Sequence, residues 1–348
     1  MFPTDETSDR GQMLVIMGLL IAVMLVALAL VLNAAIFTEN LSTRETADSE
    51  EPSAYAADTG STVADVYNRT NDNDTRKAVY AKTSFNESLE TWADSKSNTA
   101  AENGALFEAD WTTHVGWRLE QDENRSFTPA DNDSATAWNL SDSTNVRNVS
   151  TFEMRVNRTS LFNATGSADQ TADEAFRLNV TDEGGTVWQM YLFENGTATI
   201  LYVEDPSDAS FISNASVVSD LIGSDSCETT ADPATIDFQA TTLNGSACDA
   251  LDFDDDLEGN VSVRYENVQN GSGTERINGT YTLVVNGSNA VATDVDGHPE
   301  RFNASGKMPP TATAVVYAVR YDTRYQRKEV VHDVEGRHSP RAEAYQPS

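Results

Sequence analysis

Lysine is almost missing from this chain. Only Lys77, Lys82, Lys96, Lys307 and Lys328 occur among 23 basic residues, and these face 55 Asp and Glu in a chain of 348. The formal charge of −32 excludes nucleic acid as a partner, because neutralising phosphates requires clustered Lys and Arg. Cysteine is nearly absent too, with Cys227 and Cys248 alone. The four histidines, His114, His298, His332 and His338, are scattered and far from both cysteines, so no zinc-site spacing exists. There is no Gly-rich phosphate loop, nucleophile elbow, His-Glu-x-x-His helix or kinase signature. The chain therefore gives no sign of being an enzyme and implies no cofactor. With 55 acids, a suggestive pair of carboxylates carries no weight.

What is present suffices for a folded body. Apolar residues make 39% and aromatics 8%, more than acidic disordered chains contain. Self-repulsion at this charge strains a compact state in dilute buffer, whereas at about 1 M salt the Debye length shrinks to roughly 3 Å. High salt is thus the expected solvent, and a folded protein with an acidic surface is the expected class.

One long apolar run occurs, from Met13 to Leu32, twenty residues without a charge. At 1.5 Å per residue it spans about 30 Å, the hydrocarbon thickness of a bilayer. No second run follows, so the remainder lies on one side. Arg10 among Asp5, Glu6 and Asp9 orients the helix only faintly. The sequons orient it firmly. Composition predicts about five Asn-x-Ser/Thr triplets, and nineteen are present, from Asn40 to Asn303. The acceptors include Asn68, Asn86, Asn124, Asn148, Asn157, Asn163, Asn179, Asn195, Asn214, Asn260, Asn278 and Asn303. N-glycosylation marks exported surface, which places the C-terminal side outside the cell. A disulfide between Cys227 and Cys248 suits that compartment, and two unpaired buried thiols are the alternative.

A secretory signal has a basic n-region, an apolar core of 7–15 residues and a small-residue cleavage site. Here the n-region is acidic and the core is too long. Instead, Asp9-Arg10-Gly11-Gln12 directly before the apolar run resembles the class III signal peptide of archaeal type IV pilin-like and archaellin-like proteins. The resemblance covers about residues 9–37. It implies cleavage between Gly11 and Gln12 by a prepilin-type peptidase, and a mature helix that packs with other pilin-like subunits or with its own kind in a filament. Ile16 stands where bacterial members usually carry Glu at the fifth mature position.

The expected organisation is a leader over 1–11, a transmembrane helix over 12–37, a polar stalk over 38–60, a helical region over 61–124, a β-rich ectodomain over 125–335 and a disordered tail over 336–348. The fold class is α+β, with a mainly antiparallel, sandwich-like ectodomain. Helix-compatible spacing is carried by Val63, Val66 and Tyr67, by Val79, Tyr80 and Phe85, and by Leu89 and Trp92. Strands are expected at Phe152–Val156, Phe176–Val180, Val187–Phe193, Thr197–Val203, Val261–Tyr265 and Tyr281–Val285, with Asn195-Gly196 as a hairpin turn. Val315, Tyr317, Val319, Tyr321 and Tyr325 alternate with charged residues, as in a strand with one buried face.

Two charged clusters stand out. Asp252, Asp254 and Asp256 resemble a weak calcium loop, but Leu257 replaces the EF-hand glycine and Val263 its bidentate Glu, so solvated acids are the expectation. Arg320, Arg324, Arg327, Lys328, Arg337 and Arg341 gather near the C-terminus, and local pairing with the domain's own acids is the simpler reading beside self-association. Together these features suggest a membrane-anchored, pilin-like surface subunit with a structural or adhesive role. The alternative is an uncleaved, signal-anchored envelope glycoprotein that binds a surface partner.

Overall fold

The computed structural model describes residues 55–72, 78–145, 149–164, 168–204, 225–253, 257, 260–269, 277–286, 301–302, 310–328 and 330–339, with positions 17, 24–26, 28 and 30 besides. The leader, the stalk before residue 55, Asn148, Asn214, Asn303, Asp254 and Asp256 lie outside these. Of the apolar run, Met17, Met24, Leu25, Val26, Leu28 and Leu30 are helical and each is more than half exposed. Among the described residues no helix is long and apolar enough to cross a membrane.

The body is mostly antiparallel β-structure with a few helices. Helix α1 spans 55–71 and α2 spans Ala78–Glu102. On α2, Ala81, Phe85, Leu89 and Ala100 are buried on one stripe, whereas Val79 and Tyr80 are exposed. The helix ends where Gly104 takes a positive φ of 70°. There the Gly104 N–H bonds to Ala101 O and the Ala105 N–H to Ala100 O, satisfying carbonyls that the helix leaves open.

Among the described residues fourteen strands form two sheets. In chain order they are β1 Leu106–Ser126, β2 Ala137–Asn145, β3 Val149–Val156, β4 Phe176–Thr181, β5 Val187–Glu194, β6 Thr199–Glu204, β7 Ser226–Thr229, β8 Ala234–Asp237, β9 Thr242–Leu243, β10 Ser246–Ala247, β11 Asn260–Glu266, β12 Asn278–Asn286, β13 Thr311–Arg327 and β14 Val330–His338. Helix α3, Ala168–Glu174, precedes β4. The eight-stranded sheet runs β10-β9-β8-β3-β12-β1-β13-β14 and the six-stranded sheet β2-β11-β4-β5-β6-β7.

The inner faces of the two sheets share one core. Trp117, Leu119, Phe152, Met154, Leu283 and Val285 from the larger sheet meet Leu140, Leu178, Val180, Met190, Leu201 and Val263 from the smaller. Phe127 sits among Phe176, Tyr265 and Tyr281, with ring centroids 5.5–5.8 Å away. Edge-to-face and offset packing of this kind adds to what burial alone contributes.

Strands β1 and β13 outrun the sandwich, and the two long helices cover the extra length. Val63, Val66 and Tyr67 of α1 and Phe85 and Leu89 of α2 pack with Val316 and Val319 against Trp111 and Tyr321. Trp111 and Thr113 lie on the same side of β1 as Trp117 and Leu119, since β1 keeps its alternation throughout. One face of the larger sheet is thus covered by the smaller sheet at one end and by helices at the other.

Three expected boundaries need correction. The helical region stops at Glu102, because residues 106–124 are strand. Phe107, Trp111, Thr113, Val115, Trp117, Leu119 and Gln121 recur every second residue, a strand period in which β-branched and aromatic side chains favour pleated packing. The stalk does not reach residue 60: Tyr55 stacks between Phe107 and Tyr325, and Lys96 pairs with Asp58 at 2.8 Å. The tail does not begin at 336, because β14 continues to His338.

The expected single buried face of β13 holds from Val319 to Tyr325, where Arg320, Asp322 and Arg324 are exposed between covered residues, but not before, since residues 313–319 are all buried. Ala318 pairs with His114 and Val316 with Val115, so Tyr317 is an extra residue that reverses the alternation. Val316 and Val319 therefore face the helices together, while Tyr317 and Ala318 bury against Val284 on the opposite side. Asn71 on α1 completes the edge, its Nδ2 donating to Val316 O at 2.9 Å and its Oδ1 accepting from Val316 N at 2.7 Å.

Candidate functional site

The outer face of the six-stranded sheet carries a polar array built by strand register. On β4 the odd positions point outward, so the buried Phe176, Leu178 and Val180 leave Arg177, Asn179 and Thr181 on the surface side. Pairing then lines up two rows across the strands. Asn139, Arg264, Asn179, Gln189 and Glu204 oppose one another in sequence from β2 to β6. Two residues along, Glu266, Arg177, Tyr191 and Tyr202 do the same from β11 to β6.

Hydrogen bonds link the rows. Arg177 Nη2 donates to Glu266 Oε2, and Arg264 Nε donates to Glu266 Oε1 at 3.2 Å. Arg264 Nη1 reaches Asn139 Oδ1 at 2.7 Å. Tyr191 O–H donates to Gln189 Oε1 at 2.6 Å and lies 3.3 Å from Glu204 Oε2. The Arg177 guanidinium also sits 5.7 Å over the Tyr191 ring, a cation–π distance.

The electrostatics follow from half-burial. Partial burial opposes the Glu266 charge, yet the hydrogen bonds and charges of Arg177 and Arg264 outweigh it and hold the carboxyl below its ordinary value. Burial pushes the Tyr191 phenol up, against the hydrogen bond from Arg177. Two guanidinium groups and two carboxylates balance, and Arg177 Nε and Asn179 Oδ1 are buried without a hydrogen-bond partner. The array holds no nucleophile beside a base. Arg177, Arg264 and Glu266 are half-buried and reach the surface, whereas Tyr191, Tyr202 and Glu204 are buried, the two tyrosines within the apolar cluster that α3 helps to form.

A second feature closes the sandwich edge. Cys227 on β7, the last strand of the smaller sheet, is joined by a disulfide to Cys248, just after β10 at the end of the larger sheet. Their Cα atoms are 5.8 Å apart. Between the sheets lies an apolar cavity of about 70 Å³, lined among others by Phe152, Phe238, Phe253 and Leu257. Phe152 and Phe238 stack at 4.3 Å, and Trp188 stacks on Phe253 at 5.2 Å. Asp252 is exposed beside it. No group of three or more metal-binding side chains occurs among the described residues.

The sequon asparagines distribute over the surface. Asn68, Asn124 and Asn163 are exposed, and Asn86, Asn157, Asn179, Asn195 and Asn278 are half-buried. Asn260 belongs to β11. Asn195 forms the β5–β6 turn, its Oδ1 accepting from Thr197 N, Thr197 Oγ1 and Ala198 N, so its nitrogen is left for a sugar. Asn86 Oδ1 accepts from Trp111 Nε1 and Thr113 Oγ1 beneath α2. Asn286, also in a sequon, is buried at 6% exposure.

Sequence reasoning missed the polar array. Strands β4, β5, β6 and β11 were visible, β2 with Asn139 was not, and the rows exist only once register aligns them. The basic C-terminal cluster resolves partly into local pairs, Arg320–Glu335 at 3.5 Å and Arg324–Asp333 at 3.8 Å, both exposed. Arg341 lies outside the described residues. Compared with protein families, curated proteins and solved structures, the chain matches none.

Proposed function

We propose that the chain is an exported, membrane-anchored surface glycoprotein of the pilin-like kind, with a structural or adhesive role. The anchor is the apolar run from Met13 to Leu32, entered through Arg10 and Gly11. The ectodomain is the β-sandwich, and its contact surface includes the half-buried end of the polar array, Arg177, Arg264 and Glu266. The sequons carry the reading: nineteen acceptors in the chain, of which all those with a described side chain, Asn286 aside, reach the surface. Glycan attachment requires that reach and an exported location.

Ile16 at the fifth mature position favours a second reading, in which the helix is a permanent signal anchor and no filament forms. Intact-mass and peptide mass spectrometry of the native protein separates the two. An N-terminus at Gln12 supports prepilin-type processing, and one at Met1 leaves the anchored glycoprotein. The same digest is expected to show hexose-bearing peptides at Asn124, Asn163 and Asn195 and an unmodified Asn286. Bare peptides at all of these positions would remove the glycoprotein reading.

A further inference from the structure

Strand β14 ends the eight-stranded sheet, paired through β13 without a break from Val319↔His338 to Arg327↔Val330. It is nine residues long and contains no proline. Natural sheets blunt such edges with prolines, bulges or very short strands, because a row of outward N–H and C=O groups recruits another strand. Among the described residues β14 has no proline, bulge or covering strand, and its exposed charges, Asp333, Glu335 and Arg337, are of both signs.

Side chains along β14 alternate. Val331, Asp333, Glu335 and Arg337 are exposed, whereas His332, Val334, Gly336 and His338 are half-buried on the side of the helices. The His338 ring meets Tyr67 edge-on at 4.7 Å, which holds the strand against α1. The Tyr321 ring lies over Gly336, in the space a Cβ would need. The strand is thus well supported from behind, while no described strand pairs with its outer edge.

The sequons add an independent observation. All nineteen precede residue 304, so β13 and β14 carry no acceptor. On a glycan-coated body, strands without an acceptor of their own are where a protein surface can approach, with Asn68 on α1 the described acceptor beside the His338 end. This step rests on the export reading given above; the open edge does not.

Charge selects the occupant. In an antiparallel pairing of two copies about a two-fold axis at Gly336, Glu335 of each copy faces Arg337 of the other. Val334 then faces His338, Asp333 faces Ser339, and no like charges meet. Opposed Glu–Arg pairs on a sheet face are favourable where like charges are not.

We propose that β14 pairs with β14 of a second copy, joining two eight-stranded sheets into one continuous sheet. Two bodies of charge −32 repel in dilute buffer, so the contact belongs to high salt, where main-chain hydrogen bonds hold it and screening removes the long-range cost.

The test uses full-length protein purified from membranes in detergent and high salt. Glu335→Cys and Arg337→Cys are expressed separately and together, then oxidised mildly and run on a non-reducing gel. Directly opposed positions sit about 4.5–5.5 Å apart, within disulfide reach, and diagonal ones about 7–8 Å, beyond it. Linked dimer is therefore expected in the co-expressed sample and on the order of tenfold less in either variant alone. Absence of linked dimer from the co-expressed sample, or equal linkage in the single variants, overturns the proposal. Glycopeptide mapping of the same preparation scores the export reading separately: linked dimer with bare sequons would keep the edge and remove that reading.

Discussion

Glu266 shows how a half-buried acid is kept charged. Its side chain is 21% exposed, and Arg177 and Arg264 both bond to it. Its pKa in the folded protein lies below the ordinary value, so the pair contributes in full above that value and the contribution is lost as pH falls through the lowered one. Arg177→Gln should lower stability by about 1–2 kcal/mol near neutrality, since a charge-assisted bond is lost and Glu266 is left partly covered. The gap between wild type and variant should close as pH falls through the lowered value, since protonation of Glu266 removes what Arg177 stabilised. Thermal melts at several pH values in high salt check this, and a gap that persists at low pH would mean that Arg177 acts through packing instead. Glycine shows the opposite constraint at Gly279, where an added Cβ would strike the Arg155 carbonyl of the neighbouring strand. Nothing but register reveals that close approach.

Among the elements, the disulfide is the one covalent link between the free ends of the two sheets. It joins residues 21 apart in sequence, so loop entropy assigns it about 3 kcal/mol. Reduction should lower the melting temperature by about 10 °C and act first on β7, β9 and β10, which are four residues or fewer. Hydrogen exchange with and without a reductant would locate the loosening, and uniform exchange across both sheets would refute it. Legibility at this scale was uneven. The β5–β6 hairpin could be read from Asn195-Gly196 because the turn demands those residues, and Gly196 does take a positive φ of 87°. Strand β1 was assigned to a helical region because helix-compatible spacing upstream was extended too far. The bulge at Tyr317 left no local mark, since it arises from how β13 meets β1 and α1.

For the whole molecule, charge is the dominant fact. The exposed pairs on β13 and β14 contribute little each, whereas the net −32 acts on the entire body. Melting temperature should rise as salt increases from about 0.2 M to 2 M, because the Debye length shortens and self-repulsion is screened. Scanning calorimetry across that range decides it. A flat or falling curve would show that surface pairs outweigh repulsion and would remove the halophilic reading.

The sequence by itself determined the acid excess, the apolar run, the sequons and most strands beyond residue 150, because each is written in composition or in a short period. The tertiary structure alone decided that residues 106–126 are strand, that β1 and β13 extend under two helices, and that Arg177, Glu266 and Tyr191 share one face. It also joined Cys227 to Cys248 across the sheet ends. These depend on which strand lies beside which, and pairing between distant segments is set by burial of the whole core rather than by any local stretch of chain.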